Sequence, residues 1–221
     1  MKYFTIQTIS EKAIVGNEYP QIQTMGGSVN KFDDDSLYNV YSDSFPNFIP
    51  NLNYFILHKN AKVSDVLSAS MISYGLIVNG RAQEIFKKHQ LPEHRFFPAV
   101  VRQNDEVYKD YAWFFYVCDV LDYIDYNKTE FYICDMLENR VDDCKILSAN
   151  NLRSLKEVLP DDKNVNSDYL YFSKDLEDRF DLFKVTFGGY KTYISEKLKN
   201  SLEEKEITGL KITVSDNIKI V

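Results

Sequence analysis

Within the stretch NGRAQEIFKKHQLPEHRFFPAVV, Asn79–Val101, a whole helix-to-strand unit can be read. Asn79 is an N-cap, its side-chain oxygen free to accept from the first-turn N–H groups. Ala82, Ile85, Phe86 and His89 recur at i, i+3, i+4 and i+7, one face of a 3.6-period helix. Arg81, Lys87 and Lys88 fall off that stripe, and the two lysines lie toward the C-terminal end, where the macrodipole favours cations. Pro92 marks the stop. Phe96–Val101 then reads as a strand, with Pro98 pushing it toward a sheet edge or a bulge.

The same reading extends in both directions. Upstream, NYFIL (Asn53–Leu57) is an apolar run of strand length, and the first fifty residues are short strands and turns punctuated by Gly26-Gly27, Asp33-Asp34-Asp35-Ser36, Pro20, Pro46 and Pro50. Downstream, Tyr108–Ile133 is dense in aromatics and predicts strands, with Asn127-Lys128 as a hairpin-like turn between two of them. A second helix starts near Ser148 or Asn150, carries Leu152, Leu155 and Leu159, and ends at Pro160. DDKNVNSD (Asp161–Asp168) reads as a loop. A third helix has Ser195 as cap and Leu198 and Leu202 on one face, and it ends before Thr208-Gly209. Leu210, Ile212 and Val214 alternate as a strand, and Ile218–Val221 adds another. Placing Val78-Asn79 on Ile194-Ser195 aligns Ala82 with Leu198, Phe86 with Leu202, Leu91 with Ile207 and Phe96 with Ile212 without a gap. That pattern is an internal repeat or the common signature of any helix–strand unit. These elements predict an α+β fold with mainly antiparallel sheets and three principal helices. The domain expectation is a single unit over 1–221, with a strand-rich portion at 1–52, and a division near 161–168 as the alternative.

Composition excludes several classes. At 44% hydrophobic and 27% charged residues, the 221-residue chain has the makings of a core and is not disordered. The longest apolar run, Ala112–Cys118, is far shorter than the roughly 20 residues that cross a bilayer. The start MKYFTIQTIS is broken by Thr5, Gln7, Thr8 and Ser10, so no secretory signal is expected, and three cysteines suit a reducing, cytoplasmic setting. Net charge is −7. The segment Asp105–Asp181 holds 19 acidic against 9 basic residues. Nucleic acid and anionic membranes call for a basic face, so neither is an expected partner. An acidic segment either serves solubility or steers a basic protein.

Signatures of chemistry are few. Cys118, Cys134 and Cys144 form no close pair, and Pro92 separates His89 from His94, so no zinc site is expected. Cys118 and Cys134 are each followed by an aspartate, which discourages a thiolate. No G-x-S-x-G and no phosphate loop occurs; Gly26-Gly27 and Gly188-Gly189 read as turns. No cofactor is expected. His94-Arg95 beside Phe96-Phe97 is the most functional-looking polar pair, and a buried His capping a carbonyl explains it more cheaply. Asp119, Asp122 and Asp125 recur every three residues, and Asp142-Asp143 follow. On a helix the first three share a face; on strands, the preferred reading, Asp119 points opposite to Asp122.

The run Leu76–Asn79, the helix through Ile85 and Phe86, HQLPEHRFFPAVV and the aromatic stretch from Tyr108 resemble a bacterial family first described as a domain of unknown function. YISEKLKNSLEEKEITGLKI (Tyr193–Ile212) is similar to its terminal segment. Members are assigned as immunity proteins of polymorphic-toxin and contact-dependent competition systems. Where that pattern leads one to expect Ser as the first cap, Asn79 stands. The resemblance implies a non-catalytic inhibitor that covers a cognate toxin, and it supplies no catalytic residues; the acidic middle of the chain adds the expectation that this toxin is basic. Partner-binding candidates are then Asp119, Asp122, Asp125, Asp142 and Asp143 as phosphate mimics, with Tyr123 and Tyr126 as anchors. Two other readings stay open: a hydrolase using His94, and a homo-oligomeric module whose aromatic belt is the interface.

Overall fold

A computed structural model describes residues 2–26, 32–187 and 190–221. The expected glycine turns at 26–27 and 188–189 lie partly or wholly outside the described residues. In chain order the elements are β1 (Tyr3–Thr8), α1 (Lys12–Val15), β2 (Ile22–Met25), β3 (Phe55–Leu57), β4 (Val66–Leu67), β5 (Leu76–Val78), α2 (Gly80–Phe86), β6 (Glu93–Gln103), β7 (Glu106–Val117), β8 (Phe131–Asp135), β9 (Arg140–Cys144), α3 (Ala149–Val158), β10 (Lys163–Asn166), β11 (Leu170–Phe172), α4 (Asp175–Arg179), β12 (Leu182–Val185), β13 (Lys191–Ser195), α5 (Glu196–Glu204), β14 (Leu210–Ser215) and β15 (Ile218–Ile220). The class is α+β, with mostly antiparallel pairing and three sizeable helices, α2, α3 and α5. The chain divides into two compact units. An N-terminal unit holds Gln7–Cys118 and Asn200–Lys211; a C-terminal unit holds Met1–Ile6, Asp119–Lys199 and Ile212–Val221.

The N-terminal unit is built on a six-stranded sheet of order β2-β3-β6-β7-β5-β4. Strand β7 explains the apolar run at Ala112–Cys118. Trp113 and Phe115 join a cluster with Phe55, Leu57, Phe97 and Val101, while Phe114 stacks on Phe86 of α2 (4.8 Å) and on Phe96 (4.9 Å). A strand buried on both faces needs no polar alternation. The Asn79 cap is present, its carbonyl oxygen accepting from the Ala82 N–H at 3.1 Å. The helix closes earlier than expected, at Phe86, with single turns carrying the chain to His89. Pro98 sits before the two positions, Val101 and Arg102, at which β6 meets β3, and a register shift follows between Ala99 and Val101. Of the two devices expected around that proline the bulge occurs, whereas β6 is an interior strand of its sheet and not an edge. The hairpin partner of β7 is β6. Gln103 pairs with Glu106 across Asn104-Asp105, and Asn104 takes the positive φ (52°) of a two-residue turn. The turn at Asn127-Lys128 exists, but it joins no hairpin, because β8 after it pairs with β9 and β10.

In the C-terminal unit the sheet order is β12-β13-β1-β14, beside a three-stranded sheet β10-β8-β9 and a parallel pair β11-β15. Tyr3, Phe172, Phe183 and Tyr193 pack ring against ring at 5.3–5.7 Å. Asp161–Asp168 is not a loop throughout, since Lys163–Asn166 forms β10. Its one apolar residue, Val165, is fully buried opposite Ile133; a single inward position in a polar run carries no visible periodicity.

The repeat is seen in the internal geometry of the two units. Val66↔Val78 and Leu67↔Ile77 pair β4 with β5, and at the same offset Leu182↔Ile194 and Phe183↔Tyr193 pair β12 with β13. Asp65 and Asp181 are each buried 14 residues before a cap that donates to their carboxylate: Asn79 Nδ2 at 2.9 Å and Ser195 Oγ at 2.6 Å. A cation 16 residues on completes both constellations, Arg81 at 3.1 Å from Asp65 and Lys197 at 3.4 Å from Asp181. Beyond the aligned segment, β3 runs parallel to β6, as β11 does to β15. β2 pairs antiparallel with β3, as Ile124 bridges Phe172 of β11. Finally β1, the first strand of the chain, lies between β13 and β14 as β7 lies between β5 and β6. The module thus occurs twice, and its second copy takes its last strand from the N-terminus.

Candidate partner-binding surface

None of Asp119, Asp122 and Asp125 lies on a strand, which corrects the preferred reading: Asp122 is inside a single 3₁₀ turn, and Asp119 and Asp125 flank it. They line the connection after β7, which contains one 3₁₀ turn, Leu121–Tyr123. Asp119 starts it by accepting from the Leu121 N–H at 2.9 Å, and Asp125 accepts from the Asn127 N–H at 3.0 Å. The connection is tied to β11 by Asp125 N–H to the Tyr171 carbonyl and by Ser173 N–H to the Tyr123 carbonyl. Arg153 of α3 draws two of the carboxylates together, Asp119 at 2.6 Å and Asp122 at 3.7 Å, while Lys128 stands 3.7 Å from Asp125. The tyrosines brace this loop. Tyr126 donates to the Leu121 carbonyl at 2.9 Å and stacks on Phe131, and Tyr123 meets Phe180 edge-on. Burial, then the Asp122 charge, pushes the Tyr126 phenol above its ordinary range.

Asp142 and Asp143 sit on β9, the outer strand of its sheet, where four of five residues are exposed. Arg140 reaches Asp143 at 2.7 Å, lies 3.8 Å from Asp168, and stacks over the Tyr132 ring. Among the described residues Asp142 has no cation within 4 Å. Tyr126, Phe131, Arg140, Asp143 and Leu147 line one open groove of about 570 Å³, which brings one of the tyrosines to one of the β9 carboxylates. Asp119 and Asp122 do not line it. The charge asymmetry is also smaller than the sequence suggests. Lysines from β12, β13 and α5 fold into the same unit as the acidic segment, leaving the C-terminal unit with 18 acidic and 14 basic residues, against 15 and 12 in the other.

One element escaped the sequence reading, the turn between β8 and β9. Met136 and Leu137 there are 80% and 82% exposed. The Asp135 carboxylate accepts from the Leu137 N–H, the Asn139 N–H and the Asn139 side-chain amide, all at 2.9–3.0 Å. Those bonds, led by the Asn139 amide, hold its carboxyl below the ordinary range. Asp135, Glu138, Asp161, Asp162 and Lys163 surround a recess of about 280 Å³ beneath Met136. The D-M-L-E order could have flagged an acidic turn, but exposure of its apolar pair is a tertiary property.

The other chemical candidates are accounted for by packing. His94 Nδ1 meets the Pro92 carbonyl at 2.8 Å, and its ring abuts Phe96 and Phe114. Arg95 lies over the Phe45 ring and donates to the Pro46 carbonyl. Burial first, then neighbouring carboxylates, raises the thiol pKa of Cys134 and of Cys144. Among the described residues no three His, Cys, Asp or Glu side chains group as a metal site, and no helix is long and apolar enough to cross a membrane.

What emerges is an α+β protein made of a repeated module, one copy of which carries an exposed, carboxylate-rich strand and turn. The chain matches the immunity protein family Imm11 over residues 43–216, and it belongs to that family. No curated protein matches it.

Proposed function

We propose that this chain is a stoichiometric inhibitor, which binds a cognate toxin in the cytoplasm and covers its working surface without catalysing a reaction. Membership of the immunity family over most of the chain carries the reading. Supporting it, His94 and the cysteines are engaged in packing, while a surface strand presents carboxylates to solvent. The partner is a basic protein. Asp142 and Asp143 meet its cations directly, and the loop of Asp119, Asp122 and Asp125, braced by Tyr123 and Tyr126, extends the acidic face. Opposite charge speeds encounter and rejects wrong partners. Neither nucleic acid nor a membrane is a partner. Co-expression of the toxin encoded beside this chain tests the reading: killing should be suppressed when the chain is present, and undiminished killing refutes it.

A further inference from the structure

We infer that the β8–β9 turn is the docking element, inserting Met136 and Leu137 into an apolar recess of a toxin whose rim is basic; this rests on the immunity reading above. Among the described residues these two are the most exposed large apolar side chains. Adjacent exposed apolar side chains rimmed by polar residues are a feature of interaction surfaces. The turn is held in shape before any partner arrives. Three hydrogen bonds converge on Asp135, and Glu138 holds a left-handed φ of 63°. A preset turn loses little conformational entropy on binding.

Position in the fold points the same way. Residues 126–169, which contain the turn, β8, β9, α3 and β10, interrupt the second copy of the module between Ile124 and β11. Among its described residues, the first copy has no three-stranded sheet at that place, between β2 and β3. The module therefore folds without this sheet, and added segments on a shared scaffold are where function is grafted. Charge decides the occupant. The recess beside the turn is lined by Asp135, Glu138, Asp161 and Asp162 against one cation, Lys163. An apolar anchor inside a carboxylate rim complements an apolar recess inside a rim of Lys or Arg. A second copy of this chain, or an anionic lipid surface, would set like charges together.

The full-length chain is purified and its affinity measured for the neighbouring toxin domain carrying an inactivating mutation, alongside co-expression with the active toxin. Replacing both anchors, M136S/L137S, should weaken binding on the order of 30-fold, the scale of a central hot spot, and reduce protection, with the melting temperature unchanged. Should that variant melt early, D161K/D162K carries the test, because it alters only rim charge and should slow association. Protection by the wild type with both variants equally tight overturns this inference alone. A wild type that neither binds nor protects overturns the immunity reading and the inference with it. Concentration-dependent dimerisation abolished by M136S/L137S, or binding to vesicles of anionic lipid lost in that variant, assigns the turn to those partners instead and also overturns it.

Discussion

The two copies of the module use the same interruption in opposite ways. In the first, the chain between β2 and β3 sends Leu37, Val40 and Leu52 into the cluster around Phe55 and Trp113, so that its described residues thicken the core. In the second, the chain between Ile124 and β11 folds into its own three-stranded sheet and α3, leaving Met136, Leu137, Val141, Leu147 and Val158 exposed. The scaffold beneath is shared down to the buried aspartate, the cap and the cation. A repeated scaffold thus has one loop spent on stability and one available for recognition.

The largest test of that likeness lies in the aromatic cores. Phe114 and Phe183 are both fully buried, each among three other Phe or Tyr rings. Phe114→Ala and Phe183→Ala should each cost about 3–5 kcal/mol, by transfer and cavity terms together. Denaturant titration of both variants measures this. A loss confined to one copy would mean that the other's aromatic cluster is incidental.

Next come the buried aspartates. Burial pushes the Asp65 carboxyl up, but the Thr208 N–H and hydroxyl, the Asn79 amide and the Arg81 charge outweigh it and hold the pKa below the ordinary value. Asp65→Ala strands these donors and should cost about 2–4 kcal/mol. Asp181→Ala, which removes the carboxylate that Ser195 and Lys197 donate to, should cost a similar amount. Because the folded pKa of Asp65 is depressed, its contribution is complete above the unfolded carboxylate pKa and disappears as pH falls through the folded one. The difference in stability between wild type and Asp65→Ala should therefore shrink in acid. Urea titrations on both sides of the carboxylate range check the sign, and a gap that widens in acid would contradict it.

The caps are a smaller and finer probe. Asn79→Ala and Ser195→Ala should each cost about 1–2 kcal/mol, toward the upper end for capping because each side chain also donates to its aspartate. Combining the two should be additive when the copies melt as independent caps in one transition, and calorimetry of the double variant reads this out.

Local periodicity made much of this scaffold legible. The Asn79 and Ser195 caps, the buried faces of α2 and α5 and the strand at 210–215 follow from spacing, and the strand at 55–57 from the length of its apolar run, while the repeat is one of two readings that the alignment leaves open. What the sequence concealed was long-range. Which strand joins β7 depends on a two-residue turn at Asn104 overshadowed by the richer aromatic pattern downstream. That Lys163–Asn166 is a strand depends on one valine. The acidic surface looked stronger than it is, because Arg153 neutralises Asp119 from 34 residues away, and no spacing rule reports such a pairing.

That neutralisation supplies the smallest predicted effect on stability and separates the carboxylates that hold the fold from those available for recognition. Arg153 and Asp119 are both substantially exposed, so their 2.6 Å pair is worth well under about 1 kcal/mol once solvent screening is counted. Arg153→Ala should leave the unfolding midpoint almost unchanged. Its consequence is electrostatic, since it releases Asp119 and Asp122 together and makes the C-terminal unit more negative. A basic partner should then associate a few-fold faster at low salt, with the advantage lost as ionic strength rises past the range where the Debye length is about 10 Å. Stopped-flow association with the inactivated toxin, repeated across salt concentrations, measures it. Faster association in Arg153→Ala places the post-β7 carboxylates on the approach path. An unchanged rate confines recognition to β9 and its turn, and the contrast between the two copies then narrows to that one sheet.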